Sequence, residues 1–144
     1  MNAKVYFIGA GPGAADLITL RGADALKRAN LVMYAGSLVS KEMLQHCSPT
    51  AKIVDTSSLH LDEQEACYVE AKNNGWEVAR LHSGDPAIYG ATAEQMRRLE
   101  KLEIPYEIIP GVSTFLAAAA SAGVELTKPG IAQTIIITRT TGRA

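Results

Sequence analysis

Arg80-Leu81-His82-Ser83-Gly84-Asp85-Pro86-Ala87-Ile88-Tyr89-Gly90-Ala91 is the stretch on which the fold turns. It begins as the end of a strand, Val78 to Leu81, and turns through Ser83-Gly84-Asp85-Pro86 into a helix. Gly84 has no Cβ, so a ligand can approach its backbone closely. Pro86 fixes its own φ and keeps Asp85 out of the α region, which stiffens the loop. In an open α/β sheet, ligands sit at the carboxyl ends of the strands. The same residues also suit a plain strand-to-helix turn with an Asp cap, so the rest of the chain has to decide.

Toward the N-terminus, Lys4 to Ile8 predicts a buried strand running into Gly9-Ala10-Gly11-Pro12-Gly13. A helix is expected from an N-cap at Thr19 to Ala29. Leu20, Ala23, Leu26 and Ala29 would face inward, with Asn30 stopping it in the left-handed conformation. Leu31 to Tyr34 predicts a second strand, Ser40 a cap for a short helix carrying Met43 and Leu44, and Ile53 to Asp55 a third strand. Asp62 with Glu65 resembles a capping box for a helix ending at Asn74-Gly75. Beyond the central loop, Thr92 with Gln95 suggests another capping box. Tyr106 to Ile109 then predicts a strand, an alanine-rich helix is expected to reach Gly123, and Thr134 to Thr138 a last strand. Strands alternating with helices imply a three-layer α/β/α fold on a mainly parallel sheet. Parallel strands would bring the loops after Ile8, Leu81 and Ile109 to one edge, where three Gly- or Pro-rich turns make a cleft.

The 144 residues fit one domain with a real core. They are 47% hydrophobic and 20% charged, which marks a globular chain. Fourteen basic against 15 acidic side chains give a net charge of -1, which does not suggest a nucleic-acid partner. No apolar run is long enough to span a bilayer, and no signal-peptide pattern precedes the first strand, so a cytoplasmic chain without a membrane partner is expected. Cys47 and Cys67 form no CxxC, which suits reduced thiols. His46, His60 and His82 show no ligand spacing with them, so no metal site is expected.

Gly9 to Ala14 can be read as G-x-G-x-x-A, the fingerprint of a dinucleotide-dependent oxidoreductase domain. Against this, Pro12 removes an N–H that a pyrophosphate would need, and Met33-Tyr34-Ala35-Gly36-Ser37 offers no acid for a ribose hydroxyl. A non-catalytic binding or dimerisation module is a further alternative.

Three motifs together resemble the tetrapyrrole (corrin/porphyrin) methylases. Val5 to Gly13 with Asp16 to Gly22 is similar to the family's opening motif, Gly84 to Gly90 to its second signature, and Pro110 to Phe115 to its third. Tyr34 to Leu38, Leu61 to Glu63 and Arg80 to Pro86 are most similar to the precorrin-4 C(11)-methyltransferase branch, which includes enzymes acting on cobalt-precorrin-4. The resemblance implies an S-adenosyl-L-methionine-dependent C-methyltransferase of cobalamin biosynthesis, working as a homodimer on a tetrapyrrole of the precorrin-4 type. It implies cofactor contacts at Pro12, Ser83, Gly84, Asp85, Ile88, Ser113 and Thr114. Gly9, Gly11, Gly13 and Tyr89 would fall on the tetrapyrrole side, and Arg21, Arg80 or Arg139 would pair with its carboxylates. No catalytic base is assigned.

Family members are about twice as long, so residues 1–144 resemble the N-terminal domain alone, with Thr140 to Ala144 at the passage into a second domain that is absent. Siblings acting on other ring carbons, on a diphthamide precursor or on ribosomal RNA are the nearest alternatives.

Overall fold

The computed structural model describes residues 2–140 and divides into two compact units, Met1–Thr114 and Phe115–Ala144. The first unit is built on five parallel strands: β1 (Lys4–Gly9), β2 (Leu31–Tyr34), β3 (Lys52–Asp55), β4 (Glu77–His82) and β5 (Tyr106–Ile109). Their order across the sheet is β3-β2-β4-β1-β5. The helices are α1 (Leu20–Arg28), α2 (Leu61–Asn74), α3 (Thr92–Lys101) and α4 (Thr114–Ala122), with a 3-10 segment at Lys41–His46.

Strand periodicity sorts the core into two layers. Tyr6, Ile8, Val32, Tyr34, Ala79 and Leu81 face one way and pack with Ala25 and Leu26 of α1 and Met43 of the 3-10 segment. Val5, Phe7, Leu31, Met33 and Val78 face the other way, against Tyr68 and Ala71 of α2 and Leu99 of α3. Both sheet faces are thus covered, as the near-continuous apolar runs of β1 and β2 require. Each fully buried Leu, Ile, Val, Met or Phe stabilises the unit by about 1.5–3 kcal/mol relative to exposure. The three-layer α/β/α arrangement is the one expected, and its sheet is parallel at every pairing.

Several local expectations change. Thr19 does cap α1, accepting from the Gly22 amide at 3.0 Å. Leu20, however, is 91% exposed, and the inner face is Gly22, Ala25, Leu26 and Ala29. Asn30 is not left-handed; its Oδ1 accepts instead from the Glu77 amide at 3.0 Å, tying the end of α1 to β4. At α2 the reciprocal acid is Glu63, accepting from the His60 amide at 2.7 Å. Asp62 and Glu65 both pair with Arg98 of α3 at 2.8 Å, so those charges join two helices rather than cap one. Thr92 is the first residue of α3, preceded by a left-handed Ala91, and Gln95 is buried.

In the second unit, the last helix ends as expected at a left-handed Gly123, with Val124 N–H donating to Ala119. A single bridge joins Lys128 and Ala132. The strand expected over Thr134 to Thr138 is not formed: these residues carry no ladder, and Ile136 is 82% exposed. β-branched side chains favour extended backbone, but a strand exists only against a neighbour. The passage expected at Thr140 to Ala144 falls, from residue 141 onward, outside the described residues. Among the described residues no helix is long and apolar enough to cross a membrane.

Candidate cofactor and substrate site

β1 lies between β4 and β5, and Ile8 is level with both Leu81 and Ile109, so the three Gly- or Pro-rich loops leave the sheet side by side. They are stitched together by backbone. Ala10 N–H donates to His82 O at 2.7 Å, Gly11 N–H to Gly84 O at 3.1 Å and Gly84 N–H to Gly11 O at 2.8 Å. The third loop joins through a side chain: Asp85 Oδ2 accepts from the Gly111 amide at 2.9 Å, while Oδ1 accepts from Ala87 of its own loop at 2.8 Å. The approach is so close that a Cβ on Gly9 would lie 2.5 Å from Gly111 Cα. Gly84 holds φ at +60°, a region that disfavours any side chain.

Two adjoining hollows open at this edge. One, about 200 Å³, gathers Gly11, Pro12, Gly13, Ser83 and Thr114. The other, about 260 Å³, is lined by Arg80, His82, Ile88, Tyr89, Gln64 and Gln95. Leu38, Val39 and Ser83 belong to the wall of both. Wider depressions of about 490 and 510 Å³ lie beside α1 and beside Asn74-Gly75, away from the converging loops. The loop edge remains the better site, because among the described residues only there do strand ends, close backbone approach and a buried cation meet.

The expected site residues therefore divide. Pro12, Ser83 and Thr114 share a hollow with Gly11 and Gly13, so the geometry does not separate a cofactor loop from a substrate loop. Ile88 and Tyr89 line the second hollow. Gly9, Gly84, Asp85 and Ser113 line neither, and three of them act in joining the loops. Of the three arginines considered, Arg21 is exposed on α1 and Arg139 lies in the second unit, whereas Arg80 is buried at the second hollow. His46 is hydrogen-bonded through Nε2 to Ala15 O at 2.8 Å.

The sequence did not single out what surrounds Arg80. Its Nε donates to Gln95 Oε1 at 3.2 Å, Nη1 to Thr56 Oγ1 at 3.0 Å and Nη2 to Gln64 Oε1 at 3.4 Å, while Tyr68 OH donates to Gln95 at 2.7 Å. Burial raises the Tyr68 hydroxyl to about 12 and lowers Arg80. Burial, helped by the charge of Arg80, lowers His82 to about 4, so the imidazole is neutral at pH 7. Asp55 was also missed. It accepts from the Gly36 amide at 3.0 Å and from the Ser57 amide and hydroxyl, which hold its carboxyl down at about 2. It thereby fixes the loop after β2 that walls both hollows.

A parallel α/β sheet with three stitched loops at its carboxyl edge defines a ligand-binding domain of the doubly covered kind. The chain belongs to the Tetrapyrrole (Corrin/Porphyrin) Methylases, the family whose description matches residues 4–144. It is 57% identical to a precorrin-4 C(11)-methyltransferase of Sinorhizobium sp., over 97% of this chain and 55% of the relative. An X-ray structure of a cobalt precorrin-4 methyltransferase superposes with a TM-score of 0.93 at 46% identity, covering 97% of this chain and 59% of the other. A uroporphyrin-III C-methyltransferase of Thermus thermophilus, solved with S-adenosyl homocysteine, gives a TM-score of 0.72 at 31% identity, covering 91% and 53%. The chain thus spans about half the length of the curated relatives it matches.

Proposed function

We propose that this chain supplies the loop-edge floor of an S-adenosyl-L-methionine-dependent methyltransferase acting on carbon 11 of precorrin-4 or cobalt-precorrin-4, in cobalamin biosynthesis. The observation that carries the reading is the stitched loop edge in a chain 57% identical to a relative of that name. Residues 1–144 are read as the N-terminal α/β domain of a longer enzyme that works as a cytoplasmic homodimer.

The loop residues fit a methyl donor in a specific way. The amides of Gly11, Gly84, Ala87 and Gly111 are spent on joining the loops. The hydroxyls of Ser83, Ser113 and Thr114 have no protein partner among the described residues, and are the groups left to hold the donor's polar atoms. Pro12 and Ile88 offer it apolar surface. Hollows of about 200 and 260 Å³ are smaller than the roughly 300–1,000 Å³ of complete small-molecule sites, so this domain forms part of the site. When bound, the donor supplies a sulfonium methyl carbon for in-line displacement. The protein's share is alignment, because an electron-rich ring carbon needs no protein nucleophile and positioning supplies much of the rate. The rigid loops suit that role, with Gly11, Gly13 and Tyr89 toward the macrocycle.

The reading is tested by fusing this chain to the remaining half of the Sinorhizobium relative and following methyl transfer from labelled donor to precorrin-4. Incorporation at carbon 11 supports it. A folded fusion that binds donor and methylates another carbon would move the chain to a sibling activity.

A further inference from the structure

The second hollow holds a buried cation with no anion. Arg80 is 7% exposed, and the acceptors it reaches, Gln95, Thr56 and Gln64, are all neutral. Among the described residues no carboxylate pairs with it. Those bonds occupy three of the guanidinium's five N–H groups and leave two. Beside it on the same face of β4 stands His82, 8% exposed, whose Nε2 is buried without a hydrogen-bond partner. A buried charge is ordinarily paired, and a buried ring nitrogen ordinarily bonded. Both lapses occur in the wall of one hollow of about 260 Å³. The loop along it is backbone-strained, with Tyr89 at φ 52° and Ala91 at φ 50°, and such strain gathers at ligand sites.

We propose that this hollow is a carboxylate subsite, in which the spare N–H groups of Arg80 and the Nε2–H of His82 hold one carboxylate of the ligand. The pairing satisfies both orphaned groups at once, and a planar guanidinium edge suits two carboxylate oxygens. The shared wall of Leu38, Val39 and Ser83 sets the subsite beside the hollow that gathers Pro12, Ser83 and Thr114. That the carboxylate is a side arm of the tetrapyrrole rests on the proposed function; that the subsite takes a carboxylate does not.

The test is nitrogen-15 NMR of the 144-residue chain, following the Arg80 Nε–H and His82 ring signals. Sodium acetate, sodium chloride at equal concentration and an octacarboxylic porphyrin are titrated separately. Saturable movement of both signals with acetate but not chloride is expected. Gln95→Glu, which places a carboxylate on Arg80 from within, is expected to abolish it. Movement with the porphyrin but not acetate also supports the subsite and names the macrocycle as source; movement with acetate but not porphyrin supports a small free acid. Equal response to chloride and acetate, or none to acetate and porphyrin, overturns the proposal. If Gln95→Glu does not fold, Arg80→Lys replaces it: the charge stays, the two-oxygen fork is lost, and undiminished acetate binding would overturn the proposal. S-adenosylhomocysteine binding, measured separately on the fusion with the Sinorhizobium half, reports on the methyltransferase reading independently.

Discussion

Asp85 Oδ2 accepts a hydrogen bond from the Gly111 amide at 2.9 Å, joining the loop after β4 to the loop after β5 across 26 residues of chain. The carboxylate's other oxygen holds Ala87, so one side chain sets the shape of the second loop and its distance from the third. Asp85→Ala leaves two amides without their acceptor. The expected loss is about 1–3 kcal/mol in urea unfolding, with donor affinity reduced in the form carrying both halves. Asp85→Asn keeps one acceptor oxygen and is expected to fall between. Unchanged stability and unchanged affinity for Asp85→Ala would remove the residue from the site.

Gly9 and Gly111 cross at backbone contact. Gly9→Ala places a Cβ 2.5 Å from Gly111 Cα and 2.7 Å from Gly84 O, with backbone rather than flexible side chain on the other side. Destabilisation of about 1–3 kcal/mol or more is expected, read as a lowered thermal midpoint. A neutral substitution would mean that the loops separate easily.

His82 predicts an acid-sensitive step in stability. Its folded value of about 4 lies below the ordinary 6.5, so between these values the unfolded chain takes up a proton that the folded chain refuses. Stability is flat above pH 6.5 with respect to this group, falls as pH drops from 6.5 to 4, and flattens below. The total is on the order of 3 kcal/mol. Urea midpoints across pH 7.5 to 4 check this, and His82→Gln is expected to remove the slope. Asp55 acts in a lower window: its depressed carboxyl contributes above 3.8, and that contribution is lost as pH falls toward 2.

Ala91 bears a left-handed conformation, at φ 50°, immediately before α3. Ala91→Gly removes the clash of Cβ with the backbone and is expected to stabilise by about 0.5–1 kcal/mol after the greater freedom of unfolded glycine is counted. Thermal unfolding of the single variant reads this directly, and a drop in stability would contradict it.

The sequence made the sheet legible because the signals for it are local. The buried strands β1 and β2 are near-continuous apolar runs, and Thr19, Gly75 and Gly123 mark helix ends through chemistry that works within a few residues. Signals that depend on a distant partner were misread. Asp62 and Glu65 have cap spacing, but Arg98, more than 30 residues away, takes them. Steps of three residues put Leu20 inward, but such steps drift by about 60° each round a 3.6-residue helix, which leaves Leu20 on the side opposite Gly22, Ala25, Leu26 and Ala29. Thr134 to Thr138 has strand composition and no ladder. At the site, glycines and prolines announced the loops. The neutral cage of Thr56, Gln64 and Gln95 around Arg80 did not, because Thr and Gln carry no signature until the fold brings them together.

The most direct measurement is calorimetric titration of S-adenosylhomocysteine into the 144-residue chain beside its fusion to the remaining half of the Sinorhizobium relative. One site is expected on the fusion, with binding at least about a hundredfold weaker, or none detectable, on the chain alone, a difference of about 2.7 kcal/mol. Equal tight binding by the isolated chain would contradict a site shared with a second domain, and no binding by a folded fusion would contradict the methyltransferase reading itself.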